Sequence, residues 1–515
     1  MEYQTADERD AVPKGEDMDQ LLETSATELV RLIADRQLSS RELTEVHLRR
    51  IEAVNGPINA VVTLEAEAAL EQARTADNAT AAGEPLGRLH GLPMTHKDTH
   101  MVAGMRSTKG SPVLAEHVPD EDDLIIARLR QAGVVSTGKT NVPEFAAGSH
   151  TFNDVFGTTR NPYDTTASAG GSSGGVAAAL AARIQPLGDG SDMGGSLRIP
   201  ASYCNVYGFR PSYGVIPTFS AQNLATWLAR TGPMARRVED LELFMGATVG
   251  PVPELPWLHH CGGHDFESER VQHLKGVRVA VTTDFGLGVP VEPEMQAAVE
   301  RAAEILADCG ADVEPDCPGL MGADEIFHVT RAFDFVSSLG ETVADHRDQV
   351  KPEILWNVAQ GHALTAERLA RVQKLAATLQ AHLHEFFTKY DLLLSPGAQL
   401  LPFDAEIRYP QTVAGQPMAT YLEWMRSASI ISATELPTLA MPAGFSAPPK
   451  ADAGSTAAGG GSGSTLAGPS SGLPTGVQLT AWHQTDAQLL AWARCYDAHD
   501  TVRTWTSTVP GDARR

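Results

Sequence analysis

Between residues 85 and 250, short apolar runs alternate with alanine-rich or charged stretches of helical period, and this alternation constrains the fold more than any other feature. "DDLIIARLRQAG" (122–133) reads as a helix closed by Gly133, "VVSTGKT" (134–140) as a strand, "VAAALAARI" (176–184) as a helix and "NVYGF" (205–209) as a strand. A strand fed by one helix and followed by the next buries both of its faces in an α/β arrangement. The pattern resumes with "LKGVRVAVTTDFG" (274–286) as a strand and "PEMQAAVERAAEILAD" (293–308) as a helix. A long amphipathic helix then feeds a strand at Leu392–Leu394, and "GVQLTAW" (476–482) precedes a terminal helix over 486–499. Near the start, Leu29, Leu32 and Ile33 share one helical face and Leu43, Val46, Leu48 and Ile51 another, with Ser40 ahead of Glu42 and Leu43 as the helix start.

The 515 residues exceed an ordinary domain but suit one large α/β domain with additions. Residues 1–22 form an acidic leader, 23–505 a single domain and 506–515 a polar tail. Within the domain, residues 450–471 contain one large apolar residue, Leu466, and read as a glycine- and serine-rich surface loop. No repeat of fixed period occurs.

The net charge of −24 argues against an extended nucleic-acid footprint and against an anionic membrane surface. Five cysteines, an odd number without a CxxC pair, point away from a disulfide framework or structural zinc. "MEYQTADERDAVPKGEDMDQ" has neither the basic nor the apolar region of an export signal, and no 18-residue apolar run exists, so the expected location is the cytoplasm.

Several short motifs match out of context. "GVVSTGKT" (133–140) fits a phosphate-binding loop, but a helix precedes it and a β-branched pair occupies the loop, the reverse of the required order. "STGK" (136–139) fits one element of the penicillin-binding enzymes, whose other elements are missing. "AGGSSGG" (169–175) satisfies the nucleophile-elbow pattern, but "YDTTASA" before it is too small and polar for a buried strand. "HHCGGHD" (259–265) lacks the carboxylate spacing of a metal site and reads as a loop.

Three segments make sense together: "GRLHGLPMTHKDTH" (87–100), in which Lys97 ends a strand-like run; "AGGSSGG"; and "GDGSDMGGSLRIPASYCNVYGFRPSYG" (188–214). Together with "GKTNVPEF", "FGTTRNPYD" and "GLPTGVQL", they resemble the amidase signature family from about residue 25 to the C-terminus. The resemblance implies a three-layer α/β/α sandwich around a large mixed sheet. It also implies a triad of Ser196 as nucleophile, Ser172 as bridging serine after a cis Gly171–Ser172 bond, and Lys97 as base. The oxyanion donors implied are the backbone amides of Met193, Gly194, Gly195 and Ser196. Asp192 and Arg198 take supporting roles, Ser173 supports the site or caps the following helix, and Ala146 lies where the family lines its substrate pocket. Asn141 and Glu144 read as scaffold.

The chemistry stands independently. A serine hydroxyl is inert until a base takes its proton, and a lysine serves only when neutral, which burial favours. Asp98 would hold the proton on Lys97, but strand neighbours point to opposite faces. A second hydroxyl can accept one proton while donating another. The function implied is hydrolysis of a small-molecule carboxamide through an acyl-enzyme, with no metal or organic cofactor. The alternatives are the A-type subunit of a glutamine-dependent tRNA amidotransferase, a serine esterase, and a non-catalytic scaffold of the same fold. "RAFDFVSSLGE" (331–341) and "YLEWMRSASIIS" (421–432) place aromatics among small residues, as pocket wall or core, with core preferred. The amide itself and the oligomeric state, homo-oligomer included, stay open.

Overall fold

The computed structural model describes residues 20–218, 226–253, 266, 271–447 and 472–510. Most of the acidic leader, the 259–265 histidine stretch, the 450–471 segment and the last five residues lie outside these.

A three-stranded sheet holds β1 (Val61–Leu64), β2 (Pro93–Lys97) and β3 (Val135–Thr140) in the order β1-β3-β2, with β2 parallel and β1 antiparallel to β3. The main sheet has eight strands: β4 (Leu187–Asp192), β5 (Tyr207–Arg210), β6 (Arg230–Ala235), β7 (Arg278–Val281), β8 (Asp312–Pro315), β9 (Leu392–Pro396), β10 (Thr438–Phe445) and β11 (Pro474–Ala481). Their order is β8-β7-β9-β11-β10-β5-β6-β4; β8, β7 and β9 run parallel and every other neighbouring pair is antiparallel, so the sheet is mixed. The two sheets meet through side chains. The Thr95 N–H donates to Gln185 Oε1 (2.9 Å) and the Lys97 N–H to Asp189 Oδ2 (3.2 Å), fixing β2 against β4.

Both faces of the main sheet are covered, as the alternation of its side chains shows. Val279, Leu392, Leu394, Leu439 and Met441 enter one apolar cluster, together with the helices 124–131, 238–248, 293–308 and 486–498. Their neighbours Ala280, Leu393 and Ala440 enter the other, with Leu197, Ile199, Phe327 and Ile431. Strands buried on both sides read as near-continuous apolar runs, which is why "RVAV" and "LLL" lack a polar face. The result is the three-layer α/β/α sandwich.

Local signals explain the element ends. The helix α1 (Ser40–Ile58) starts at Ser40 as expected, and Ser39 before it is the cap, accepting the Glu42 N–H while the Glu42 carboxylate takes the Ser39 N–H. That reciprocal pair needs a spacing of three, which Ser39 has and Ser40 lacks. After the helix 486–498 comes a further one, Asp500–Thr506, docked by Asn205 Nδ2 on the Trp505 carbonyl (2.8 Å) and by Tyr163 Oη on that of Thr508 (3.0 Å). Among the described residues no helix is long and apolar enough to cross a membrane.

Candidate active site

Lys97 is the last residue of β2 and is completely buried. Its Nζ touches three hydroxyls: Ser172 Oγ at 2.8 Å, Ser173 Oγ at 2.9 Å and Ser191 Oγ at 2.8 Å. Burial pulls this amine down from 10.5 to about 7, against the opposing charges of Asp192 and Asp189. Asp98, next in sequence, points elsewhere, as strand alternation requires. It meets Lys139 Nζ at 3.3 Å and the Thr108 hydroxyl. Lys139 itself is buried at the end of β3, so the phosphate-loop match is a strand, as read from sequence.

The glycine-serine block forms the turn into helix α2 (Gly174–Ala181), and its Gly171–Ser172 bond is cis. Glycine is needed here for close approach. A Cβ on Gly171 would lie 2.9 Å from the His150 nitrogen, and one on Gly175 would lie 2.5 Å from the Asn141 backbone. Ser173 stands at the N-cap position without capping: no side-chain cap bond forms, and its hydroxyl turns to Lys97 instead. The expected capping role is therefore replaced by a contact to the amine.

Ser196 follows β4 on a turn that leads into helix α3 (Arg198–Tyr203). The two serine loops are tied by the Ser173 N–H donating to the Ser196 carbonyl at 3.1 Å. Ser172 and Ser196 line the same cavity of about 380 Å³, and no hydrogen bond joins their hydroxyls in this geometry. Asp192 is buried and gripped in bidentate fashion by Arg198, Nε to Oδ2 and Nη2 to Oδ1 at 3.0 Å each. Burial raises this carboxyl, but Arg198 and Arg210 outweigh it and hold it well below the usual range.

One expected oxyanion donor is already engaged. The Gly195 N–H donates to Asp192 Oδ1 (2.9 Å), and the Leu197 N–H donates to Oδ2 (3.0 Å). The amides of Met193, Gly194 and Ser196 meet no acceptor among the described residues. Gly195 turns the chain at φ +110°, where a Cβ would also strike Ala428 at 2.5 Å. Its task is to anchor the loop on Asp192 rather than to face the cavity.

Two residues of this site escaped the sequence reading. Ser191 supplies the third hydroxyl on Lys97. Asp189, buried behind it, accepts the Lys97 N–H and lies 3.1 Å from His96 Nδ1 and 2.9 Å from His100 Nδ1. In "GDGSD" positions 189 and 191 are two apart on β4 and face the same side, but nothing in that stretch shows that this side meets Lys97. Ala146 lies on the cavity wall, where it and Phe145 both hold left-handed backbone (φ +56° and +48°). Glu144 and Asn141 are scaffold. Glu144 takes the Ser111 hydroxyl (2.7 Å) and the Lys351 N–H (2.8 Å), and Asn141 donates to Thr159 Oγ1 (3.0 Å). The preference for core fails in "RAFDFVSSLGE": Arg331, Phe335, Ser338 and Leu339 on helix α4 (Ala323–Asp345) all line the cavity, as does Met425 of the other segment.

This constellation sits inside a match to the family model described as Amidase, over residues 42–490. The chain belongs to the amidase family. The A-type subunit of glutamyl-tRNA(Gln) amidotransferase from Moorella thermoacetica is 33% identical over 497 residues, covering 92% of this chain and 96% of that protein. Its Burkholderia mallei counterpart is 30% identical over 94% of this chain and 99% of its own length. Among solved structures, a bacterial aryl acylamidase of the amidase signature enzymes superposes with a TM-score of 0.83 at 26% identity, covering 96% and 99% of the two chains. The glutamyl-tRNA(Gln) amidotransferase protein of the same type from Thermotoga maritima superposes at 0.71 with 24% identity over 95% and 98%, a likeness of fold. The proteins similar to this amidase-family chain thus include both an aryl acylamidase and subunits of amidotransferases.

Proposed function

We propose that this protein hydrolyses a carboxamide through an acyl-enzyme on Ser196. The Ser196 oxygen attacks the carbonyl carbon while its proton passes to Ser172, whose own proton passes to Lys97. The resulting oxyanion is received by the free amides of Met193, Gly194 and Ser196, at the N-terminal side of α3. Collapse breaks the C–N bond, and the proton returns along the same path to the departing amine or ammonia. Water then attacks the ester, again deprotonated through the relay, and the carboxylic acid leaves. A neutral Lys97 suits this role: with two N–H bonds and one lone pair it can donate to Ser173 and Ser191 and accept from Ser172.

The observation that carries the proposal is the buried amine at about 7 held by three hydroxyls, with the Ser191 carbonyl beyond them at 3.4 Å and no carboxylate in direct contact among the described residues. Amine or ammonia release from a panel of aliphatic, aryl and peptide amides and from glutamine tests it. Turnover that survives Ser196→Ala sinks it. A second reading, the glutaminase half of a tRNA amidotransferase, is favoured by the sequence relatives. It predicts that the isolated chain releases ammonia from glutamine in preference to simple amides, and more so beside its partner proteins. Matched amide and ester substrates separate both readings from an esterase.

A further inference from the structure

The cavity beside Ser196 carries positive charge that no described carboxylate neutralises. Arg331 lines it from α4 and is only 3% exposed. Its Nη2 donates to Tyr421 Oη (2.8 Å), its Nε to Asn357 Oδ1 (3.2 Å) and its Nη1 to Met193 Sδ (3.1 Å), while the guanidinium plane lies 4.3 Å from the centre of the Phe335 ring. None of these groups is anionic, and Arg331 makes no ion pair among the described residues. A guanidinium has five N–H bonds, so two are uncommitted and a third meets only a thioether, a weak acceptor on a flexible side chain. Arg198, equally buried, is by contrast closed off by Asp192. Lys109 adds a second cation to the same wall, likewise without a carboxylate partner among the described residues. Among the described residues Asp192 is the one acidic side chain on the wall, and Arg198 and Arg210 occupy it.

A buried cation without a counter-ion is costly, and a planar fork of donors on the wall of a cavity of about 380 Å³ fits a carboxylate in two-point fashion. We propose that Arg331 anchors a carboxylate carried by the substrate, a short chain away from the amide that is cleaved. Met193 sets the distance. Its amide is one of the free oxyanion donors and its sulfur touches the guanidinium, so the carboxylate and the reacting carbonyl are separated by about one side-chain length, a spacer of a few carbons. On arrival the carboxylate displaces the thioether from Nη1 and takes the uncommitted N–H bonds, with Lys109 contributing long-range attraction. This inference rests on the hydrolytic reading above and names its substrate class: amides that bear a carboxylate, either on the acyl side or on the amine side.

The test compares kcat/KM for charged amides with that for neutral ones of similar length. Succinamate, glutaramate and L-glutamine place the carboxylate on the acyl side, N-acetylglycine and N-acetyl-β-alanine on the amine side, with pentanamide and N-butylacetamide as neutral counterparts. The wild-type protein is expected to favour one charged series by about tenfold or more, a typical return for a charge-assisted contact. In Arg331→Met that ratio is expected to collapse towards one, and Arg331→Lys to restore part of it. Calorimetric binding of succinate and glutarate to Ser196→Ala, with and without Arg331→Met, reads the same anchor without turnover. Equal use of charged and neutral amides by the wild type overturns the anchor while leaving the hydrolase standing. If no amide is cleaved, the hydrolytic reading falls and the calorimetry decides the anchor alone: binding lost on Arg331→Met supports it, and absence of binding overturns it.

Discussion

The pH dependence of turnover follows from the environment of Lys97. Only the neutral amine can take a proton from Ser172, so kcat/KM should track the neutral fraction of a group near 7. Below that point it should fall tenfold per pH unit, so that pH 5 gives about one-fiftieth of the value at pH 7, and above pH 8 it should level off. A lysine at its ordinary value would still be climbing past pH 9. The assay is kcat/KM from pH 5 to 10 on a cleaved amide with no titrating group in that range. A flat profile down to pH 5, or one still rising log-linearly past pH 9, refutes the reasoning.

The same displacement has a cost in stability with a defined sign. An amine brought from 10.5 to about 7 by folding opposes folding, by an upper figure of about 5 kcal/mol, wherever the unfolded chain holds its proton. The penalty is full below pH 7 and fades as pH rises to 10.5. Lys97→Met removes it, at the expense of three hydroxyls that lose their partner. The free-energy difference between variant and wild type, from urea unfolding, should shift in favour of the wild type by several kcal/mol between pH 7 and pH 10.5. A difference that does not change with pH would show that Lys97 is not carried neutral into the fold.

Asp189→Asn removes a charge that holds the proton on Lys97, so the acid limb of the same profile should move to lower pH; a move to higher pH contradicts the assignment. Ser172→Ala should abolish measurable turnover, whereas Ser173→Ala and Ser191→Ala, each losing one hydrogen bond to the amine, should cost about fivefold to tenfold in kcat. Gly195→Ala places a Cβ 2.5 Å from that of Ala428 at φ +110° and tilts the oxyanion loop, so kcat should drop about 10²- to 10³-fold with KM changed less. Equal loss in both parameters, or none, would separate this glycine from transition-state binding.

What could be read from the sequence was whatever depends on neighbours along the chain. The strands at 278–281 and 392–394 were legible because burial on both faces leaves no polar alternation. The helix at 293–308 was legible from its period. Lys97, Ser172 and Ser196 stood out because their flanks form a joint pattern around them. Contacts set by register between distant strands were not legible. Asp189 and Ser191 reach Lys97 only because side chains, not a backbone ladder, hold β2 against β4. The Gly195 amide looks free in the sequence because its bond to Asp192, across three residues in a turn, has no periodic signature. Arg331 looks like core because its segment has the composition of core. Its place on the cavity wall follows from where α4 crosses the serine loops, a property of packing.

The electrostatic layout reconciles the charge around Lys97 with the neutral amine that the proposed mechanism requires. Two buried carboxylates, Asp189 and Asp192, lie close enough to Lys97 to raise its proton affinity, and either one placed directly on Nζ would lock it as an ammonium. Neither is free to do so. Asp192 spends both oxygens on Arg198 and on the Gly195 and Leu197 amides, and Asp189 faces His96 and His100 as well as the Lys97 backbone. The carboxylates therefore act on the site by shaping backbone: one holds the 193–197 loop proposed to receive the oxyanion, the other holds the strand that carries Lys97, the proposed base. Their charge reaches the amine at a distance and opposes the effect of burial, with the amine at about 7. A base at that value is half neutral at neutral pH and, once protonated, still acidic enough to return the proton to a departing amine. Desolvation favours the neutral amine, and a direct ion pair favours the ammonium. Hydroxyls against the amine, with hydrogen-bonded carboxylates behind them, balance the two.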